Sequence, residues 1–188
     1  MASVFSRQNL LALLEIFERT SSEGSERTRR LREFVEQDES CAERANPKGH
    51  LTASAWVVSA DRTKALLLHH RKLNKWIQPG GHADGDFDLL SVALREVKEE
   101  SGLTQVVPAS SDIFDVDIHE IPPWRDTPAH LHYDVRFLIE ADEFERLTHN
   151  DESNALRWVE LHAVPSYTEE ESVLRMARAT LQLSVAKA

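Results

Sequence analysis

The sequence contains one cysteine, Cys41, so no disulfide bond can form within the chain. A lone cysteine is more typical of reducing compartments than of oxidising ones. The sequence also lacks a long apolar run, because its most apolar early stretch, residues 10–17, is interrupted by Glu15 and is too short to cross a membrane. That stretch has neither the basic start nor the small-residue cleavage site of a signal peptide. These absences predict a cytoplasmic location and no membrane association.

Positive charge is scarce, with 22 Lys and Arg residues against 32 Asp and Glu residues and a formal net charge of −10. Nucleic acid polymers and anionic membranes are bound through basic surfaces, so neither is an expected partner. A small phosphorylated substrate remains compatible with this charge, because a bound metal ion brings its own positive charge. The length of 188 residues fits a folded chain with a sizeable core.

Hydrophobic periodicity predicts a helical N-terminal part followed by a strand-rich remainder. The predicted helices are residues 6–20, 25–38 and 169–183, and the predicted strands are 51–59, 64–69, 112–121, 131–139 and 155–161. The inward face of the last helix is predicted to comprise Val173, Met176, Ala177 and Leu181. A turn is expected at 21–25, and the Asn-Pro-Lys-Gly stretch at 46–49 marks the break between the two parts.

Three glutamates give the most informative pattern in the chain. Glu96, Glu99 and Glu100 are spaced i, i+3 and i+4, so on a helix they share one flank. Crowded carboxylates repel one another and need a cation or a proton at neutral pH. Their hard oxygen atoms suit Mg²⁺ or Mn²⁺. A solvated helix face is the plain alternative, but a glycine turn before the helix and Gly102 at its expected C-cap favour a metal site.

The segment 81–103 resembles the signature of the Nudix hydrolase family. That pattern is Gly, five residues, Glu, seven residues, Arg-Glu, an aliphatic residue, any residue, Glu-Glu, any residue, Gly and an aliphatic residue. The matching positions are Gly81, Arg95, Glu96, Val97, Glu99, Glu100, Gly102 and Leu103. One position departs, because Phe87 replaces the first glutamate, with Asp86 and Asp88 on either side. The departure puts the network that supports the site in doubt.

The resemblance implies a fold and a domain organisation. The fold would be α/β, a Nudix-like α/β/α sandwich with a mixed sheet. A Nudix hydrolase domain at 48–188 would follow an N-terminal helical extension at 1–47. These first helices are expected to pack on the core, since an amphipathic stripe is most often packing. A cover over the site and a dimer contact are the alternatives.

The resemblance also implies metal-dependent hydrolysis of a diphosphate bond in a nucleoside diphosphate linked to another group. The expected cofactor is Mg²⁺ or Mn²⁺, the expected partner is a small nucleotide substrate, and a homodimer is a possible state. By the same resemblance the metal ligands would be Glu96, Glu99, Glu100 and the backbone carbonyl of Gly80. The residues expected to carry the chemistry are Glu96, Glu99, Arg95 and Glu152.

Two of these roles have alternatives. Arg95 is expected to hold a glutamate by a bidentate pair, or to form an ordinary i, i+4 pair with Glu99. The general base is expected to be either Glu96 or Glu152. Glu152 lies in a loop before a predicted strand, where functional residues concentrate, although loop acids are often simply solvated.

Histidines form a second pattern. His130 and His132 are spaced i, i+2, so they share a face of the predicted strand. Together with His119 they are candidate ligands of a transition metal, since neutral imidazole binds such ions. The other interpretations are contact with the substrate, which would involve His82, His130 and His132, and plain solvent-facing histidines. Trp76 and Trp124 are candidates for stacking on a base, with ordinary packing as the alternative.

A second class of function competes with the hydrolase. The chain would then be a nucleotide-binding Nudix-fold module with little or no turnover, for which Phe87 is the supporting feature. A Nudix-fold isomerase of isoprenoid diphosphates fits poorly, because that chemistry needs a cysteine near the site and Cys41 precedes the first predicted core strand.

Overall fold

The computed structural model describes residues 6–21, 25–123 and 128–185. Its helices are α1 (Arg7–Thr20), α2 (Ser25–Gln37), α3 (Leu89–Ser101) and α4 (Glu171–Val185), with a 3₁₀ helix at Leu161–Ser166. Its strands are β1 (Gly49–Ser59), β2 (Lys64–His70), β3 (Lys75–Ile77), β4 (Gly80–His82), β5 (Val106–Pro108), β6 (Asp115–Ile121), β7 (His130–Ala141) and β8 (Ser153–Glu160). The strands are hydrogen-bonded in the order β3-β2-β1-β7-β5, and β4, β6 and β8 pair with β1, β7 and β2 respectively.

The chain divides into two compact units, each made of three segments. The first unit comprises 1–54, 81–93 and 111–137, and the second comprises 55–80, 94–110 and 138–188. In the first unit α1 packs on α2, and α2 contacts β6. The ring of Phe34 on α2 stacks on that of Tyr133 on β7, with centroids 3.9 Å apart. Helix α2 therefore packs on the strands of this unit, and α1 packs on α2.

A buried ion network also stabilises the first unit. The guanidinium of Arg136 donates from Nε to Asp134 at 2.7 Å and from Nη1 to Asp115 at 3.1 Å. Asp134 also accepts hydrogen bonds from the hydroxyls of Thr52 and Ser54, each at 2.9 Å. Because Arg136 and Asp134 are each only 2% exposed, these contacts replace the water that both charges lose on burial.

The second unit is organised by the pairing of β2 with β8. The two strands are antiparallel, with Leu66 opposite Trp158, and the register shifts between His69 and His70. Helix α4 is fixed to β1 of this unit by the indole Nε1 of Trp56, which donates to the hydroxyl of Thr180 at 2.9 Å. The pairing brings the loop before β8 to the end of β2, which matters for the candidate site.

The predicted long helices and strands are confirmed, and each of their ends lies within three residues of the predicted position. The end of a strand predicted at 76–77 is confirmed as β3, whereas β4 and β5 were not predicted, because three residues are too few to show a period. The inward assignment of Leu181 is wrong, since this side chain is 43% exposed. The predicted turn at 21–25 lies mostly outside the described residues.

No helix within the described ranges combines the length and apolar character needed to cross a membrane.

Candidate metal and catalytic site

Helix α3, which carries the three glutamates, has a defined start and end. Asp88 precedes the helix and accepts hydrogen bonds from the backbone N–H and the hydroxyl of Ser91, at 3.1 and 2.8 Å. At the other end Gly102 has a φ of +74°, and its N–H donates to the carbonyl of Lys98 at 3.0 Å. The expected glycine cap is therefore confirmed. Asp88, beside the departure at Phe87, has a capping role that accounts for its carboxylate.

Glu100 is the most buried of the three glutamates, with 4% of its surface exposed. Its Oε2 accepts the backbone N–H of Gly80 at 2.9 Å. Burial above all, together with the nearby charges of Glu96, Glu152 and Glu99, raises the pKa of Glu100 to about 8, against the pull of the Gly80 hydrogen bond. A carboxylate held in such a place gains most from a bound cation.

Glu96 shares this environment. Burial raises the pKa of Glu96, as do the charges of Glu99 and Glu152, whereas its hydrogen bond with Arg95 acts in the opposite direction. The guanidinium of Arg95 donates from Nη2 to Oε1 of Glu96 at 3.2 Å, while its Nε lies 4.0 Å from Oε1 of Glu99. Arg95 therefore makes one hydrogen bond to Glu96 and a longer ion pair with Glu99, rather than a bidentate pair.

Glu152 comes from a distant part of the sequence and lies near the glutamates of α3. The N–H of Arg71, just after β2, donates to the Glu152 carbonyl at 2.8 Å. The N–H of Glu152 donates to the side chain of Asn150 at 2.9 Å, which forms a tight turn. The negative charge of Glu152 contributes to the raised pKa values of Glu96 and Glu100, so its carboxylate acts on the same region.

The donor chemistry of this region fits Mg²⁺ or Mn²⁺, which prefer carboxylate oxygens. Glu100 is buried while its neighbours are negative, and a divalent cation would relieve both costs. The Glu99 side chain is 60% exposed and its Oε1 lies 4.0 Å from Nε of Arg95. The hydrogen bond from its N–H places Gly80 next to Glu100. This position is compatible with the expected role of the Gly80 carbonyl as a further ligand.

Trp76 lies on β3 in the second unit and is half-buried. Its ring packs at 5.1 Å from His69 and edge-on to Tyr167 at 5.5 Å, measured between ring centroids. These contacts hold the indole in place and leave part of it accessible. Trp124, the other predicted stacking residue, lies outside the described residues.

The predicted histidines lie together in the first unit. The register of β6 against β7 puts His119 directly opposite His132. His82 on β4 and His130 on β7 complete the predicted group, and each has its ring centroid within 5.3 Å of that of His132. At the centre is His50 on β1, which the sequence analysis did not single out. His50 meets the other histidines because β1 pairs with β4 and β7. The periodicity of a single strand does not show which strands will be its neighbours.

Comparison with known proteins gives matches in sequence and in fold. The sequence model of the NUDIX domain matches residues 48–180, which is more than half of the chain. A Lactococcus lactis protein named "Probable DHNTP pyrophosphohydrolase" is 31% identical over 102 residues, which cover 53% of this chain and 59% of that protein. The chain thus matches less than two thirds of that relative's length.

Two solved structures share the fold. A NUDIX family hydrolase from Clostridium perfringens superposes with a TM-score of 0.57 at 20% identity, over 71% of this chain and 97% of that one. A C. elegans Ap4A hydrolase in a binary complex gives a TM-score of 0.57 at 18% identity, over 73% of this chain and 98% of that one. The predicted α/β fold of Nudix type is confirmed by this likeness. With the domain model matched across the helix that carries the glutamates, the chain belongs to the NUDIX domain family.

Proposed function

We propose that this protein is a divalent-metal-dependent pyrophosphohydrolase that cleaves a diphosphate bond in a nucleoside diphosphate linked to another group. The observation that carries the proposal is Glu100, a buried carboxylate whose pKa is raised to about 8 by burial and by neighbouring carboxylates. The names of the related proteins, a DHNTP pyrophosphohydrolase and an Ap4A hydrolase, support the same class of reaction.

The carboxylates of Glu96, Glu99 and Glu100, with the carbonyl of Gly80, would hold Mg²⁺ or Mn²⁺. When bound there, the ion would neutralise phosphate oxygens and lower the pKa of an attacking water molecule. Glu100 would exchange its proton for the ion, because a metal ligand must be deprotonated. The N–H of Gly80 orients the carboxylate of Glu100 through their 2.9 Å hydrogen bond.

The remaining residues would position and deprotonate the water. Arg95 holds Oε1 of Glu96 through their 3.2 Å hydrogen bond, so the other oxygen of Glu96 would have a fixed orientation toward the metal or the water. Glu152, fixed by Arg71 and Asn150 through its backbone, is our candidate general base. Its carboxylate is exposed, so it can accept a proton from water and release it to solvent.

Trp76 is our candidate for stacking on the base of the substrate, since its ring is held on two sides but half exposed. A cytoplasmic location, the expected absence of nucleic acid polymers and membranes as partners, and a possible homodimer remain predictions from composition and family resemblance.

The test is a panel of nucleotide substrates: nucleoside triphosphates, ADP-ribose, dinucleotide polyphosphates and sugar nucleotides. Phosphate release is measured with added pyrophosphatase and phosphatase, in Mg²⁺, in Mn²⁺ and in EDTA. We expect turnover of at least one member that needs the divalent ion. Turnover that persists undiminished in EDTA contradicts the proposal.

The second candidate function is nucleotide binding with little or no turnover, favoured by the departure at Phe87. It predicts that panel members bind in the presence of Mg²⁺ while none is hydrolysed. In that case Phe87→Glu, which restores the glutamate of the family pattern, is the variant to assay next. Gain of turnover in Phe87→Glu would identify this departure as the cause.

A further inference from the structure

Five histidine side chains crowd together in the first unit, and the proposed hydrolysis uses none of them. They come from four strands: β1, β4, β6 and β7. The cluster comprises His50, His82, His119, His130 and His132. Neighbouring ring centroids lie 4.8–5.4 Å apart, with the shortest separation between His50 and His132. Charged imidazoles this close together would repel one another, whereas a shared cation would hold them together.

His50, at the centre of the cluster, is buried, and no hydrogen bond from the residues that the structure describes accounts for its polar ring. It is 1% exposed, and neither of its ring nitrogens has a hydrogen-bond partner among the described residues. Within the same part of the chain, Nε2 of His132 is likewise buried without a partner. Leaving a buried polar atom unpaired is costly, so three such nitrogens in one place indicate that a ligand belongs there.

A metal ion binds imidazole through the lone pair of an unprotonated ring nitrogen. His50 and His132 each have a buried ring nitrogen without a hydrogen-bond partner among the described residues, and such an ion would satisfy it.

Outer contacts orient two further rings. Nδ1 of His130 lies 2.9 Å from the carbonyl oxygen of Pro128, and this acceptor requires the proton to be on Nδ1. Nε2 of His130 then has its lone pair available for a ligand. Nδ1 of His119 lies 3.3 Å from Oδ2 of Asp117 in the same manner. Metal-binding histidines commonly have such a carbonyl or carboxylate behind the ring.

We propose that His50, His130 and His132 bind a divalent transition-metal ion of the Zn²⁺ class. Their ligand atoms all lie within 4.8 Å of one another, and among the described residues they form the group of this kind that converges. Zn²⁺ binds imidazole nitrogen at about 2.0–2.1 Å, so the three rings would have to rotate toward a common point to hold it. Imidazole nitrogen selects such ions over Mg²⁺, so the set differs in chemistry as well as in residues from the glutamates of α3.

Two further histidines border the group. The ring of His82 lies 5.1 Å from that of His50 and 5.2 Å from that of His132, and His119 lies opposite His132 on β6. The sequence analysis suggested His119, His130 and His132 as a set. The proposed set keeps His130 and His132 and takes His50 in place of His119, because the ligand atoms of these three converge.

The experiment measures Zn²⁺ binding by isothermal titration calorimetry to a Glu99→Gln, Glu100→Gln background, so that the glutamates of α3 do not compete. Co²⁺ serves as a second probe, since imidazole ligation in a tetrahedral site gives visible absorption bands. The test variants are His130→Ala and His50→Gln. The matched control is His162→Ala, because His162 is exposed and belongs to the second unit. Circular dichroism checks that each variant is folded.

We expect one Zn²⁺ per chain in the background and in the His162→Ala control, with affinity at least 100-fold lower in His130→Ala and His50→Gln. If His50→Gln fails to fold, the half-buried His130 decides the matter. Unchanged Zn²⁺ affinity in folded His130→Ala overturns the proposal. The absence of Zn²⁺ binding in the background also overturns it. Direct contact of the imidazoles with substrate, the other interpretation from the sequence, would then be favoured. The readout is binding, so its failure is distinct from any failure of the proposed hydrolase.

Discussion

The N–H of Gly80 donates to Oε2 of Glu100 at 2.9 Å, and this contact joins the start of β4 to the last turn of α3. A donor of this kind favours the ionised carboxylate and lowers its pKa. Burial nevertheless outweighs it, and the neighbouring carboxylates add to burial, so the pKa of Glu100 stays at about 8. The metal-free protein therefore stores an unfavourable electrostatic interaction at this residue.

Replacing Glu100 with glutamine should remove a pH dependence of stability. The ordinary pKa of the carboxyl is 4.5 and the folded value is about 8, so the folded chain holds more protons between these limits. The free energy of unfolding of the wild type therefore falls as pH rises from 4.5 to 8. Glutamine cannot ionise. We expect Glu100→Gln in EDTA to be more stable than the wild type at pH 8.5, on the order of 2 kcal/mol.

Urea denaturation at pH 5.5 and pH 8.5 measures this difference, and Glu39→Gln at an exposed position is the control. The control should follow the wild type at both values. A Glu100→Gln protein with the same pH slope as the wild type would show that Glu100 ionises normally.

Glu152→Gln tests the general base. The exchange keeps the size of the side chain and the backbone contacts with Arg71 and Asn150, but removes proton acceptance. We expect kcat at saturating Mg²⁺ to fall about 10²–10⁴-fold. Asp151→Asn, at the neighbouring exposed acid, should retain the wild-type kcat. An unchanged kcat in Glu152→Gln would transfer the role to Glu96.

Arg136→Met tests the buried network of the first unit. Without the guanidinium, Asp134 and Asp115 remain buried without their countercharge, although Thr52 and Ser54 still donate to Asp134. Removing one partner of a buried pair costs about 3–5 kcal/mol, which chemical denaturation would detect. Arg29→Met, at an exposed ion pair, should have a far smaller effect. Equal losses in the two variants would contradict the structural role given to Arg136.

Trp76→Ala tests stacking on the base. Loss of a stacked aromatic ring costs about 1–3 kcal/mol of binding, so KM should rise roughly 10-fold while kcat changes little. Trp76→Phe keeps an aromatic face and should lie between the alanine variant and the wild type. A KM unaffected by Trp76→Ala would assign the residue to packing against His69 and Tyr167.

Helix α3 and the grouping of its glutamates were predictable because the information is local. The i, i+3, i+4 spacing of the glutamates and the glycine after the helix are both read within about two turns of one helix. The amphipathic pattern likewise predicted the long elements. It failed at Leu181, since the period continues through the last turns of α4 where the side chain is 43% exposed.

Long-range strand pairing was the part that the sequence did not contain. Glu152 could be named as a loop acid, but its place beside Glu96 and Glu100 follows from the pairing of β2 with β8. His50 escaped notice for the same reason, because only the strands beside β1 bring other imidazoles to it. Glu140 and Arg62, which pair at 2.8 Å across 78 residues, were equally invisible.

Whether the glutamates of α3 hold the catalytic metal is best measured by kcat as a function of Mg²⁺ concentration, on the panel member with the highest turnover. It compares the wild type with Glu99→Gln, Glu100→Gln and with the exposed control Glu39→Gln. We expect kcat to saturate with Mg²⁺ in the wild type and in the control, and to be at least about 10²-fold lower in the double variant at every concentration. Equal kcat in the double variant and the wild type would show that the glutamates of α3 do not hold the catalytic metal.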